Sequence, residues 1–102
     1  IDQLIAMFDR VAPGSRFYFW RTARGEEVDL LVDAGAGLLP IEVKLHSAPT
    51  AEDVFSLRRC MQDLNLERGW LVYPGEQTYS LGGNITAVPV IRALSGPADM
   101  KL

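Results

Sequence analysis

A single cysteine, Cys60, rules out an internal disulfide and any multi-cysteine metal framework, and it fits a reducing cytosol. His46 is the one histidine. No stretch approaches the roughly 18 apolar residues that a membrane span needs, and no signal-peptide pattern is present. A phosphate-binding loop of the GxxxxGK[ST] kind is also missing. Basic residues are in deficit: ten Lys and Arg face thirteen Asp and Glu, for a formal net charge of −3 and a pI near 5.0. That balance argues against a broad electrostatic footprint for nucleic acid. Any such contact has to be local, metal-assisted or supplied by other parts of a longer protein. The chain starts at Ile1, directly in helix-like sequence, and reads as a fragment of such a protein.

What remains is ordinary globular material: 48% hydrophobic and 23% charged residues in 102, suited to one domain. Residues 1–94 are expected to form it, with 95–102 as a C-terminal tail. Ile1, Leu4, Ile5, Phe8 and Val11 recur at helical spacing, so residues 1–12 predict an amphipathic helix packed by that stripe. Pro13-Gly14 ends it. Three strand-like segments follow: the aromatic run 16–22, "EEVDLLVDA" and "LLPIEVKL". Arg24-Gly25 and Gly35-Ala36-Gly37 make the turns between them. Pro40 belongs at a strand edge or near a strand start, since it cannot donate to a ladder. Thr50 with Asp53 three residues on predicts a helix N-cap. The helix behind it puts Val54, Leu57, Met61 and Leu64 on one face. "GWLVYPG" reads as a buried strand, "QTYSL" as a short one, and "NITAVPVIRAL" as a strand running into a turn or short helix. The order is α-β-β-β-α-β plus one or two strands, an α/β fold with a central mixed sheet of four to six strands flanked by helices.

Acidic residues concentrate in the hairpin. Strand side chains alternate faces, so strict alternation puts Glu27, Asp29 and Asp33 with Leu31, opposite Val28, Leu30 and Val32. Glu42 and Lys44 share a face, opposite Leu39, Ile41, Val43 and Leu45. Pairing of the two strands brings Asp29 to the side of Glu42 and Lys44. Two carboxylates then face one point with an ammonium one pleat away. Mg²⁺ takes one or two carboxylates, keeps waters and binds phosphate at its other positions. It lowers the pKa of bound water and neutralises charge on a scissile phosphate, while a lysine positions the attacking water or stabilises the phosphorane. The competing reading is a solvated strand face with a modest cross-strand ion pair.

"GEEVDLL" followed by "PIEVK" resembles the PD-(D/E)XK nuclease-like superfamily, whose restriction-endonuclease-like core has the order derived above. The resemblance implies Asp29 and Glu42 as metal ligands, the Val43 backbone carbonyl as a third, Lys44 as the catalytic lysine, and Mg²⁺ or Mn²⁺ as cofactor. Val28 stands where the superfamily motif has proline. The first helix, which in relatives often brings a glutamate to the metal, offers Gln3 as its best-placed residue. The longer set "FYFWRTARGEEVDLLV", "LLPIEVK", "GWLVYPG" and "ITAVPVIRAL", about Arg16 to Leu94, is similar to the uncharacterised C-terminal domain of bacterial and archaeal AAA+-type ATPases. That similarity implies upstream ATPase and winged-helix domains, a cytoplasmic location, and two functions to weigh: a metal-dependent nuclease acting on nucleic acid, or an inactive interaction or regulatory module of the ATPase.

Other polar residues carry two readings each. Glu27 either supports the acidic site or is solvated. Arg21 pairs with an acidic neighbour or contacts phosphate. His46 shares the face of Lys44 but is expected on the surface. Arg58 and Arg59 either touch a nucleic-acid backbone or line a solvated helix face, and Gln62 is a weak candidate for a site glutamine. Cys60, Trp70 and Tyr73 are expected in the core.

Overall fold

The computed structural model describes residues 1–35 and 37–95. Its elements are α1 (Asp2–Val11), β1 (Arg16–Arg21), β2 (Glu27–Asp33), β3 (Leu38–Val43), a 3-10 turn at Ala51–Val54, α2 (Phe55–Leu64), β4 (Gly69–Tyr73), β5 (Tyr79–Gly82), β6 (Ile85–Pro89) and α3 (Val90–Ser95). The strands form one mixed six-stranded sheet in the order β1-β2-β3-β4-β6-β5. The sequential strands β1, β2 and β3 pair antiparallel. The crossover through α2 makes β3 parallel to β4, and β4 is also parallel to β6, while β5 closes the far edge antiparallel.

The sheet is covered on both sides, which is why β4 is buried along its whole length. On one side Leu4, Met7 and Phe8 of α1 and Ala93 of α3 pack on Leu30, Val32, Ile41, Trp70, Val72 and Val88. On the other, Leu57, Cys60 and Met61 of α2 pack on Val28, Leu31, Leu71, Tyr73, Ile85 and Ala87. The stripe expected on the first helix is rotated. Met7 is buried, whereas Ile1 and Val11 are 45% and 42% exposed. Terminal turns of a short helix run past the sheet they cover, so spacing alone places Ile1 and Val11 in a contact that is not there. Leu64 at the end of α2 is likewise exposed.

Thr50 and Asp53 form the expected capping box, the Thr50 N–H donating to Asp53 Oδ2 at 2.7 Å. Pro40 lies in an inner strand, yet costs no ladder bond to β4. Its stretch of β3 pairs with β2, and the β4 ladder begins at Ile41. In the β2–β3 turn, the Gly35 N–H donates to Asp33 Oδ1 at 3.0 Å. Ala36 of the expected Gly-Ala-Gly turn lies outside the described residues, as does the tail beyond Ser95. None of the described helices is long and apolar enough to cross a membrane.

Candidate active site

Strict alternation fails in β2, and the failure positions the site. Tyr18 faces Leu31 and Trp20 faces Val28, so two steps along β1 match three along β2. The extra residue is a β-bulge at Asp29–Leu30. It puts Val28 and Leu31 in the same core layer and Leu30 with Val32 in the other. The expected face shared by Glu27, Asp29, Asp33 and Leu31 is therefore broken: a count of two per residue carries no sign of an inserted residue. The bulge coincides with the end of the β2–β3 ladder, whose last pair on this side is Leu30 with Ile41. Beyond it, the Asp29 side chain takes the place of a backbone acceptor. The Val43 N–H donates to Asp29 Oδ2 at 3.0 Å.

Glu42 belongs to the same stretch of β3. Ile41 and Val43 pack in the α1 layer, so Glu42 turns toward α2, opposite Leu71 in β4. It is 6% exposed, the one buried charged residue type among the described residues. Burial is the largest of the effects that push its carboxyl from 4.5 up to about 8. A hydrogen bond to the Asp29 carboxylate and that group's negative charge raise it further, and the Lys44 ammonium pulls it part of the way back. Glu42 therefore keeps its proton at neutral pH. Lys44 is half-buried just past the strand, held by its own N–H donating to the Val72 carbonyl at 2.9 Å.

The three residues singled out by the motif thus lie where the start of β2 runs beside the end of β3, with Asp29 and Lys44 anchored through backbone hydrogen bonds. Among the described residues, no three or more Asp, Glu, His or Cys side chains form a metal-holding group. A cation here would have two carboxylates at most, plus carbonyl oxygen and water. An open cleft of about 810 Å³ lined by Arg58, Gln62, Asn65, Arg68 and Asn84 shares none of these residues.

The remaining candidates sort by contact. Glu27 is exposed and its Oε1 lies 3.1 Å from Arg21 Nε, the structural ion pair among the readings open for both. Gln3 is exposed on α1, the helix that packs on the other side of the sheet from the buried Glu42. His46 Nε2 lies 3.0 Å from Asp53 Oδ1. Asp53 also accepts the Thr50 N–H, which is the largest cause of its lowered pKa. His46 thereby ties the loop after Lys44 to the start of the next helix. Arg58 is half-buried, and its Nη2 donates to the Leu81 carbonyl at 2.9 Å, pinning the β5–β6 turn to α2. Arg59 Nε sits 3.5 Å from Glu26 Oε2, and Glu26 Oε1 accepts the Thr22 hydroxyl. Cys60 is fully buried, as expected, and its thiol is pushed up to about 11 chiefly by that burial, so it is inert as a nucleophile.

Two roles escaped the sequence. Nothing in the spacing signals that Asp29 caps the Val43 N–H, because that depends on where the ladder stops. Arg58 as a clamp depends on a hairpin 23 residues away. Compared with known proteins, residues 1–92 match a family model described as Domain of unknown function (DUF4143). Uncharacterized proteins of Mycobacterium bovis and Mycobacterium tuberculosis are each 35% identical to the chain over 103 residues. Those alignments take in all of this chain and 22% of each relative, so the chain spans about a fifth of the length of the curated relatives it matches.

Proposed function

This chain belongs to the family described as Domain of unknown function (DUF4143), and from its acidic pair we propose a divalent-metal-dependent nuclease-like domain that hydrolyses phosphodiester bonds. The observation that carries the reading is the buried Glu42 carboxyl with the Asp29 carboxylate against it and Lys44 beside it. Two carboxyl groups forced together at a strand end, at the expense of burying one of them, suit a site that takes up positive charge. Asp29, Glu42 and the Val43 backbone carbonyl would hold Mg²⁺ or Mn²⁺. The ion would supply an acidified water and charge neutralisation at the phosphate. Asp29 keeps one oxygen on the Val43 N–H, which fixes the orientation of the other. To serve as a ligand, Glu42 would have to release its proton to solvent. Lys44 orients water and stabilises the oxygens of the phosphorane. The element order α-β-β-β-α-β, with β3 and β4 parallel across α2, supports a restriction-endonuclease-like core for this domain. If the chain is part of a longer cytoplasmic protein, an AAA+-type ATPase part and a winged helix there would present the nucleic acid.

Calorimetric titration with Mn²⁺ tests the site. Saturable binding by the wild type that disappears in Glu42→Ala is expected, and wild-type binding no tighter than that of the variant sinks the proposal. With labelled nucleic acid and Mn²⁺, Lys44→Ala is expected to slow cleavage by about 10²-fold, the usual size for loss of one charge-stabilising or proton-handling group. Cleavage unchanged in Lys44→Ala and Asp29→Ala would come from a contaminant. A second reading, an inactive interaction module of the ATPase, is favoured by the proton that Glu42 holds up to about pH 8 and by Gln3 on the first helix. It predicts an intact fold with no Mn²⁺ binding.

A further inference from the structure

The charge of the chain is unevenly spread. Between residues 10 and 25 there is no aspartate or glutamate, but there are Arg10, Arg16, Arg21 and Arg24. This segment therefore carries four positive charges of its own within a chain of net charge −3, and all four arginines are exposed, although Arg21 pairs with Glu27 and Arg16 lies across from Asp33 in the β1–β2 register. The same segment holds Phe17, Tyr18, Phe19 and Trp20 in an unbroken run, and it forms β1, an edge strand of the sheet. The outer two aromatics anchor the strand. Phe17 packs in the α1 layer, edge-on to Phe8 with ring centroids 6.5 Å apart, and Trp20 packs in the α2 layer. The middle two face water: Tyr18 is 48% and Phe19 68% exposed. Phe19 lies across from the Asp29–Leu30 bulge, in the register between Tyr18–Leu31 and Trp20–Val28. Arg21 projects to the same side, its Cζ 5.4 Å from the centroid of the Phe19 ring, and Glu27 steadies it there at 3.1 Å.

We propose that β1 is a binding platform for single-stranded nucleic acid, with a base stacked on Phe19 and backbone phosphates on Arg16 and Arg24. An aromatic ring left in water beside arginines, on a strand edge, is the combination that single-strand binders use. Stacking tolerates any base, because every base has a π-face, and the arginines supply charge along the backbone. A duplex keeps its bases stacked inside and offers none to Phe19. Phe19 is one strand away from Asp29 within the sheet, and alternation from Phe17 puts it on the α1 side, the face opposite the one toward which Glu42 turns. The proposal rests on the nuclease reading for its purpose, but it involves different residues and needs no metal.

The test is fluorescence anisotropy of labelled oligothymidylate and of a duplex of equal length, in EDTA so that metal chemistry plays no part. The single strand is expected to bind more tightly than the duplex, with affinity falling as salt rises. Phe19→Ala should weaken it about ten-fold while Phe19→Trp retains it. Arg16→Gln with Arg24→Gln should lower the salt slope by about 1.4, the value for two phosphate contacts on a single strand. Failure of wild-type protein to bind the single strand overturns the proposal, as does equal binding by Phe19→Ala or a preference for duplex. If the arginines merely keep a sheet edge from pairing with other chains, their replacement will promote self-association and leave oligonucleotides unbound, which also overturns it. Binding in EDTA without cleavage in Mn²⁺ would defeat the nuclease reading and leave this one standing.

Discussion

Glu42→Gln is expected to make the protein more stable near pH 8 by several kcal/mol and to change little near pH 4. The folded chain holds the Glu42 proton up to about pH 8, while the ordinary value is 4.5. Between those values the folded state carries more bound protons than the unfolded one. Stability is therefore fully present below the unfolded value and declines as pH rises through the window, by at most about 1.4 kcal/mol for each pH unit. Above the folded value, Glu42 stays in its pocket as an anion beside Asp29, and the full cost is carried. Glutamine fills the same space without that charge and keeps a donor for Asp29. Urea denaturation of both proteins across the window would check this, with midpoints that diverge as pH rises. Parallel profiles would mean that Glu42 is ionised in the native state and that the account of the site is wrong. The same proton competes with a cation, so Mn²⁺ affinity should rise with pH over this range.

Phe8→Ala is expected to cost about 3–5 kcal/mol, the range for truncating a buried aromatic. Phe8 is fully buried, closes the α1 layer over Leu30, Val32 and Ile41, and meets Phe17 edge-on. Val11→Ala, on the same helix and in the same stripe by sequence, should stay within about 0.5 kcal/mol because Val11 is 42% exposed. Denaturant midpoints measured at unchanged slope would separate the two. Equal losses would place Val11 back in the core.

That contrast shows where sequence reasoning holds and where it stops. Elements defined by local chemistry were legible. The Thr50–Asp53 cap needs residues three apart, and the buried β4 is a short apolar run between glycines. The crossover from β3 to β4 follows from their being separated by a helix. The meeting of Asp29 with Glu42 was legible from the hairpin, but not the means. Alternation places them by counting, whereas the chain uses a bulge and a side-chain hydrogen bond to Val43. Bulges, ladder ends and the depth of Glu42 depend on how three strands and a helix fit together, and no single segment encodes that. Arg58 escaped for the same reason: its partners are carbonyls, and every residue has one.

The Val43 amide has a use of its own. Its N–H is held by the carboxylate that also meets the proton of Glu42, so its magnetic environment follows the state of both acids. An isotope-labelled sample would carry a spectroscopic gauge at this one backbone position. Its resonance would move as Glu42 titrates and again as a cation draws Asp29 toward itself. The occupancy of the site could then be followed residue by residue without substrate, and without altering either acid.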